Sequence, residues 1–280
     1  MQLATTFLTA VSVMTLPNGA VYYAPYNTYN DNDPDVGATV SVENNVSLLG
    51  GLKMLYTIIL TKQSSSFKSL LPQIEAQMEG ITNFLKASYD HELGFFRQGG
   101  RYNRTTGAWT WTQFPFAADC QTWALTVLGK NKVDSWFGEG TALAIWNTTK
   151  AISGYNYNPS TGWVDGVGFS DNVKEQVFSG EWTLGAVNML RTIASAYNSS
   201  AAASLQAEAN HMRQAVSSQL TQTFNYPTGE SATAILYANK RYYIPFGWWA
   251  NPLPSMASTG WAVMTDNNFN PFYLGGAYTS

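Results

Sequence analysis

Three acidic residues lie at the starts of predicted helices, each after a stretch rich in glycine and aromatic residues. They are Glu43 in Ser-Val-Glu-Asn-Asn, Asp119 in Ala-Asp-Cys-Gln-Thr-Trp and Glu181 in Ser-Gly-Glu-Trp-Thr. A fourth segment, 256–261, leads into a helix in the same way but carries no acid. Paired carboxyl groups can cleave a glycosidic bond, one as proton donor and the other as base or nucleophile. The alternative role is structural, because acids favour the first helical turn and Asp is a common N-cap.

Glu181 is the preferred single acid because of its two neighbours. Gly180 would allow a ligand to approach closely, and Trp182 offers a ring on which a sugar can stack. The same reasoning about rings and polar side chains in long loops gives a wider set of substrate-binding candidates. These are Trp111, Trp182, Trp248, Tyr243, Asn44 and Asp171. Several of these residues could equally form the cores of loops, and Asp171 could stabilise a turn.

A second group of chemically capable residues falls in the stretch 89–117. His91, Arg97, Arg101 and Tyr102 combine cations with groups that can accept a proton. Elimination from a uronic-acid polymer needs a cation to neutralise the sugar carboxylate and a Tyr or His to remove the neighbouring proton. The alternative is a solvated loop with ordinary surface charge.

Composition excludes several other classes of function. Aromatic residues make up 14 % of the chain and charged residues 12 %, with a net charge of −3 and no basic patch, so we expect no nucleic-acid partner. One Cys and two His cannot form a disulfide or a Cys/His zinc site, and we expect no metal or other cofactor. Cys120 is predicted to be a buried, inert thiol. No apolar run reaches 18 residues, so no membrane span is predicted.

Helical periodicity dominates the chain and predicts two kinds of helix. Helices at 42–60, 119–129, 181–196 and 257–265 are apolar or small on nearly every side and should be buried. Helices at 1–14, 67–85, 135–152 and 201–220 have a polar face and should lie outside them. This alternation predicts an all-α fold, an (α/α) toroid or an incomplete barrel of helical hairpins.

The loops also alternate, with long ones before the predicted inner helices and short ones after them. The long loops, at 18–40, 89–117, 154–179 and 221–255, should form one functional face. The last of them contains a predicted β-hairpin, with strands at 233–238 and 241–246. We predict a single domain over 1–280. Because a closed six-hairpin ring would need a longer chain, the barrel should lack N-terminal hairpins or be completed in a homo-oligomer.

The segments around Glu43, Asp119 and Glu181, together with the ending Ser258-Thr259-Gly260-Trp261 to Phe269-Asn270-Pro271-Phe272, resemble the six-hairpin (α/α)-toroid glycosidases and related polysaccharide lyases. The resemblance implies that a polysaccharide or oligosaccharide lies in a groove over the inner-helix starts.

Three functions follow from these observations. The first is a secreted glycoside hydrolase that uses Glu181 with Glu43 or Asp119. The second is a polysaccharide lyase, and the third a non-catalytic glycan-binding or assembly-forming protein. Sequons at Asn45, Asn103, Asn147 and Asn198 fit an extracellular glycoprotein, although a chain rich in Asn, Ser and Thr also produces them by chance.

Overall fold

The computed structural model describes residues 2–23, 39–62, 65–170, 174–244 and 247–278. The chain divides into two compact units. The first comprises Met1–Pro115 with Phe272–Leu274, and the second comprises Phe116–Pro271 with Gly275–Ser280. We describe each unit separately. In the described parts of the chain, no helix combines the length and the apolar character that crossing a bilayer requires.

The first unit is built on a pair of long helices with a small sheet at one end. Its helices are α1 (Gln2–Met14), α2 (Val42–Lys62), α3 (Ser65–Lys68) and α4 (Leu71–Ser88). Its strands are β1 (Thr39–Ser41), β2 (Tyr89–Asp90), β3 (Phe95–Phe96), β4 (Gly99–Tyr102) and β5 (Trp109–Trp111). Helix α2 packs against α4 and buries Leu49, Leu52, Ile81 and Leu85. The amphipathic helix predicted at 1–14 is confirmed, and the one predicted at 67–85 is confirmed from Leu71 onwards, with Phe67 in the separate short helix α3.

The 89–111 stretch of this unit forms strands of two small antiparallel sheets. Strand β4 lies between β1 and β5, with Gly100 opposite both Val40 and Trp111. Strand β2 pairs with β3, so that Tyr89 faces Phe96. The stretch is therefore an ordered set of short strands, which fixes where its charged residues point.

The second unit contains the remaining helices and the remaining hairpins. Its helices are α5 (Ala118–Leu128), α6 (Lys130–Phe137), α7 (Thr141–Ser153), α8 (Gly180–Ala194), α9 (Ser199–Gln219) and α10 (Met256–Asp266). Its strands are β6 (Gly154–Tyr155), β7 (Gly166–Val167), β8 (Thr221–Asn225), β9 (Ser231–Ile235), β10 (Tyr242–Ile244) and β11 (Trp248–Ala250). A 3₁₀ turn at Leu274–Gly276 contains residues of both units.

Helix α8 is the centre of the second unit. Every residue from Trp182 to Leu190 is buried, and the helix packs against α5, α9 and α10. Gly185 allows close packing, since a Cβ there would lie 2.8 Å from the indole nitrogen of Trp123. The prediction that α8 has no polar face is confirmed. Helix α9 exposes a polar side, as predicted for an outer helix.

Several details differ from the sequence-based expectations. The helix predicted at 135–152 is two helices, α6 and α7, because Gly138 and Gly140 adopt φ values of +113° and +88° between them. Helix α10 is not buried on all sides, since Met256 is 92 % exposed and Val263 is 57 % exposed. The C-terminal half of α2 likewise carries exposed residues, including Leu60.

The prediction of a hairpin formed by 233–238 and 241–246 is wrong. Strand β9 pairs instead with β8, and β10 pairs with β11. Glycines in the left-handed region supply the two turns, Gly229 at φ +87° and Gly247 at φ +96°. Asn239, the predicted turn residue, instead exchanges hydrogen bonds with Phe178.

Candidate active site

Helices α5 and α8 begin side by side in the second unit, and each places one acid in its first turn. Asp119 is the second residue of α5, after Ala117 in the N-cap position, and Glu181 is the second residue of α8, after Ser179. Asp119 is therefore not the N-cap itself. The first position of α8 needs Gly180, since a Cβ there would come within 2.6 Å of the Leu236 carbonyl oxygen. Both acids keep partial solvent access.

Asp119 holds its proton more tightly than a solvated aspartate does. Burial raises its pKa to about 6, although the hydrogen bond from the Cys120 backbone N–H opposes the shift. That N–H lies 2.7 Å from Asp119 Oδ1. Cys120 is buried, as the sequence predicted.

Glu181 is perturbed further, and Asp119 is part of the cause. Burial, followed by the negative charge of Asp119, raises the pKa of Glu181 to about 7. A hydrogen bond with Tyr237 opposes the shift. Two acids that share a site cannot both ionise easily. The structure therefore brings two of the three predicted acids into one electrostatically coupled pair.

Two tyrosines, Tyr237 and Tyr242, lie beside the Asp119–Glu181 pair. The sequence analysis included neither of them among the site residues. Tyr237 reaches Glu181 because the Gly180 N–H donates to the Tyr237 carbonyl oxygen at 3.0 Å. Tyr242 is buried, and its hydroxyl accepts the Phe169 N–H at 3.3 Å. Burial first, then the neighbouring carboxylates, raise the pKa of Tyr237, and burial followed by Asp119 does the same for Tyr242. Both phenols therefore stay protonated and can act as hydrogen-bond donors.

An aromatic cluster surrounds Tyr237, the tyrosine that is hydrogen-bonded to Glu181. The Trp182 ring is only 3 % exposed and lies 4.7 Å from the Phe169 ring and 6.2 Å from the Trp248 ring. The Trp182 ring is therefore packed inside the cluster and offers no open face to a sugar, in contrast to the stacking platform predicted from the sequence. Trp248 is 40 % exposed and lies 5.6 Å from Tyr237. A cavity of about 350 Å³ lies here. Its lining includes Tyr237, Trp248, Trp249, Asn251 and Leu253.

The third predicted acid, Glu43, lies in the first unit in the first turn of α2. It accepts a hydrogen bond from Ser47 Oγ at 3.0 Å, one turn further along the helix. The Asn44 backbone N–H donates to Ser41 Oγ. The side chain of the sequon residue Asn45 is buried in bonds to Val21 and Ser41, so the folded chain offers no acceptor for a glycan there.

The residues of the predicted lyase group do not converge on one point. Arg97 forms an ion pair with Asp90 and lies over the Trp111 ring at 5.8 Å. His91 contacts the Tyr89 ring edge-on at 5.0 Å. Arg101 and Tyr102 are successive residues of β4 and therefore point to opposite sides of the strand.

Asp90 differs sharply from the pair in the second unit. The Leu93 backbone N–H, together with the Arg97 and Glu92 donors, holds the pKa of Asp90 below its usual value despite partial burial. A carboxylate stabilised in this way is poorly suited to donate a proton at neutral pH.

The remaining substrate-binding candidates belong to different parts of the chain. Tyr243 is half-exposed on β10, opposite Trp249 on β11, with the two rings 5.3 Å apart. It faces away from Tyr242 because successive strand residues alternate. Trp111 stacks on Phe84 in the first unit. Asp171 lies outside the described residues.

Comparison with known proteins identifies the fold of the chain. No protein-family model matches the chain, and no curated protein sequence matches it either. Among solved structures, the chain is similar to an unsaturated glucuronyl hydrolase from Bacillus sp. GL1, with a TM-score of 0.53 and 14 % identity over 79 % of this chain and 56 % of that one. The chain has the (α/α)-toroid fold predicted from its sequence.

A second match is the endoglucanase Cel10, a family 8 glycosyl hydrolase from Klebsiella pneumoniae. Its TM-score is 0.45 at 14 % identity, over 90 % of this chain and 67 % of that one. The chain thus spans only about half the length of the glucuronyl hydrolase and about two thirds of the endoglucanase.

Proposed function

We propose that this chain is a glycoside hydrolase that cleaves a polysaccharide through Glu181 and Asp119. The observation that carries the proposal is the coupled pair of carboxyl groups, with pKa values raised to about 7 and about 6. Glycoside hydrolysis requires two such groups in different protonation states at the same pH. The toroid fold, shared with a glucuronyl hydrolase, is consistent with this chemistry.

Glu181 is the proton donor in this proposal. With a pKa of about 7, it holds a proton at the pH where Asp119 has lost its own. It would protonate the leaving oxygen as the glycosidic bond breaks, which leaves its own carboxylate ionised. The Tyr237 hydroxyl would then stabilise the new negative charge by donating a hydrogen bond to it.

Asp119 is the ionised partner. Its carboxylate would take a proton from the attacking water, or attack the sugar carbon itself, on the other side of the bond from Glu181. Tyr242 lies beside it and stays protonated. Glu43 is left out of the pair, because the interaction that raises the pKa of Glu181 is with Asp119.

The aromatic cluster supports a glycan as the substrate. Trp248 presents a partly open ring next to Tyr237 in a cavity of about 350 Å³, within the range of small-ligand sites. Sugar C–H faces stack on such rings. We also propose that the enzyme is secreted and meets its polysaccharide outside the cell, because a polymer of this size does not cross a membrane by diffusion.

The test is an assay on soluble polysaccharides such as mannan, xylan, β-glucan and a uronic-acid polymer. Hydrolysis yields new reducing ends without near-ultraviolet absorption, whereas elimination yields a product that absorbs. We expect reducing ends from one neutral polymer, and a loss of about a thousandfold in Glu181→Gln. Absorbing products, or full activity in Glu181→Gln, would overturn the proposal. Sugar binding without cleavage would favour a non-catalytic glycan-binding protein.

A further inference from the structure

A second cavity, of about 760 Å³, lies in the second unit between α7, α9 and the loop that follows α7. Its lining includes Lys150, Glu208, Tyr157 and Trp163. It shares no lining residue with the cavity beside Tyr237 and Trp248. The hydrolysis proposed above makes no use of it.

A buried ion pair belongs to the wall of this cavity. Lys150 Nζ lies 3.1 Å from Glu208 Oε1 and 2.7 Å from the Gly162 carbonyl oxygen. Trp146 Nε1 donates to Glu208 Oε2 at 3.2 Å, and both members of the pair are buried. Burying two charges is costly, and these extra bonds fix the geometry of the pair.

The pair keeps hydrogen-bonding capacity on its cavity side. Among the described residues, the bonds recorded for Lys150 use two of its three N–H donors. Each carboxylate oxygen of Glu208 can accept more than one bond. The cavity therefore offers a donor and an acceptor side by side, with no net charge.

Two aromatic residues, Tyr157 and Trp163, line the same cavity as this polar pair. Tyr157 is 54 % exposed, and Trp163 is partly exposed. The turn between them is tight, since the Gly162 N–H donates to the Asn158 carbonyl oxygen at 2.8 Å and Gly162 adopts φ +72°. His211, which is bonded to Asp165, contacts the Trp163 ring at 5.7 Å. These contacts fix the orientation of the turn.

We propose that this cavity is a second carbohydrate-binding site, which holds a neutral segment of the glycan apart from the catalytic pair. An open ring for the apolar face of a sugar, next to a donor and an acceptor for its hydroxyl groups, is the chemistry that recognises a pyranose. Glu208 would repel an acidic sugar and Lys150 a basic one, so a neutral residue fits best. The identity of the glycan as the hydrolysed polymer rests on the proposed function.

The lining of the cavity is also connected, through a short segment of chain, to the start of α8, which carries Glu181. Gln176 lines the cavity, and two residues later Phe178 exchanges hydrogen bonds with Asn239, which follows Tyr237 by two residues. Glu181 lies three residues beyond Phe178. A polymer held in the cavity would therefore stay close to the bond-cleaving residues, which lowers the polymer concentration needed for cleavage.

Native affinity electrophoresis in gels that contain mannan, xylan or β-glucan tests the site directly. The background variant is Glu181→Gln, so that the polymer is not degraded during the run. We expect at least one polymer to retard this protein. Tyr157→Ala and Trp163→Ala should each weaken the retardation about tenfold, and Trp163→Phe should retain most of it. Tyr226→Ala is the control, since Tyr226 is 53 % exposed on the β8–β9 turn, and it should change nothing.

A kinetic measurement in the active enzyme separates this site from the catalytic one. Tyr157→Ala should raise KM for the polymer about tenfold and leave the hydrolysis of a short oligosaccharide unchanged. Unaltered retardation in both Tyr157→Ala and Trp163→Ala, or no retardation by any of the three polymers, would overturn the second site. Retardation that depends on Tyr157 in a protein that cleaves nothing would support this site and count against the proposed hydrolysis.

Discussion

Asp90 in the first unit and the Asp119–Glu181 pair in the second show how the same functional group acquires opposite properties. Asp90 faces backbone N–H donors and Arg97, and its pKa falls. Glu181 is buried next to another acid, and these two effects raise its pKa to about 7. Residue type alone does not distinguish these acids in the sequence. The surroundings of each carboxyl group therefore decide its role. Burial beside a second acid makes Glu181 a candidate for proton transfer, whereas backbone donors and Arg97 keep Asp90 ionised in an ion pair.

The largest expected difference between the regions is in catalysis. Asp119→Asn removes the ionised partner and should reduce kcat/KM for the polymer by about 10²- to 10⁴-fold. Arg97→Gln, in the other region, should leave it within about twofold because Arg97 is engaged by Asp90. Reducing-end assays on both purified variants measure this contrast. A strong loss in Arg97→Gln with little effect of Asp119→Asn would reverse the comparison and favour the lyase mechanism.

The pH dependence of kcat/KM is the next largest effect. Asp119 must be ionised, so activity should fall below about pH 6, and Glu181 must be protonated, so activity should fall above about pH 7. Each limb should change about tenfold per pH unit away from a narrow optimum between these values. A profile that stays flat up to pH 9, or one with its optimum near pH 4, would show that these two groups do not control the reaction.

Tyr237→Phe should have a smaller effect, of about tenfold on kcat/KM. It removes the hydroxyl that stabilises ionised Glu181, so the alkaline limb of the profile should move to higher pH. Tyr226→Phe, at an exposed tyrosine on the β8–β9 turn, is the matched control. A tenfold loss without movement of the alkaline limb would mean that the Tyr237 hydroxyl does not act by stabilising ionised Glu181.

The smallest expected effect is on the free energy of unfolding, which Glu181→Gln and Asp90→Asn should change in opposite directions. Because folding raises the pKa of Glu181, ionisation costs stability as pH rises from about 4 to about 7, and the cost persists above that range. Glu181→Gln should therefore be more stable than the wild type by about 2 kcal/mol at pH 8, with no difference near pH 4.

For Asp90 the sign reverses. Its lowered pKa contributes stability above about pH 4, which is lost as pH falls through the value in the folded state. Asp90→Asn should therefore be less stable than the wild type by about 1 kcal/mol at pH 8, with the difference disappearing in acid. Thermal unfolding at pH 4 and pH 8 measures both variants, and shifts of the same sign at pH 8 would contradict the account.

The parts of this structure that sequence predicted are those set by local pattern. The apolar surface of α8 and the first-turn position of Glu181 both follow from residue types along one helix. The pairing of β8 with β9 was missed because turn glycines such as Gly229 decide register, and the periodicity of the strands does not. The exposed side of α10 was missed because burial depends on what packs against a helix.

Tyr237 shows the limit most clearly. It lies 56 residues from Glu181 in sequence, and the backbone hydrogen bonds between 178–180 and 237–239 bring it to the acid. Alternation predicted a strand at this position, but no local signal indicated its partner. The coupling between Asp119 and Glu181 likewise depends on the packing of α5 against α8.

A site-resolved titration of Glu181 tests the central claim most directly. Carboxyl chemical shifts in the ¹³C NMR spectrum, assigned with Glu181→Gln, report the pKa in the wild type and in Asp119→Asn. The account predicts a pKa of about 7 in the wild type and a lower value once the charge of Asp119 is removed. A pKa near that of a solvated glutamate, unchanged in Asp119→Asn, would show that the two acids do not form a catalytic pair.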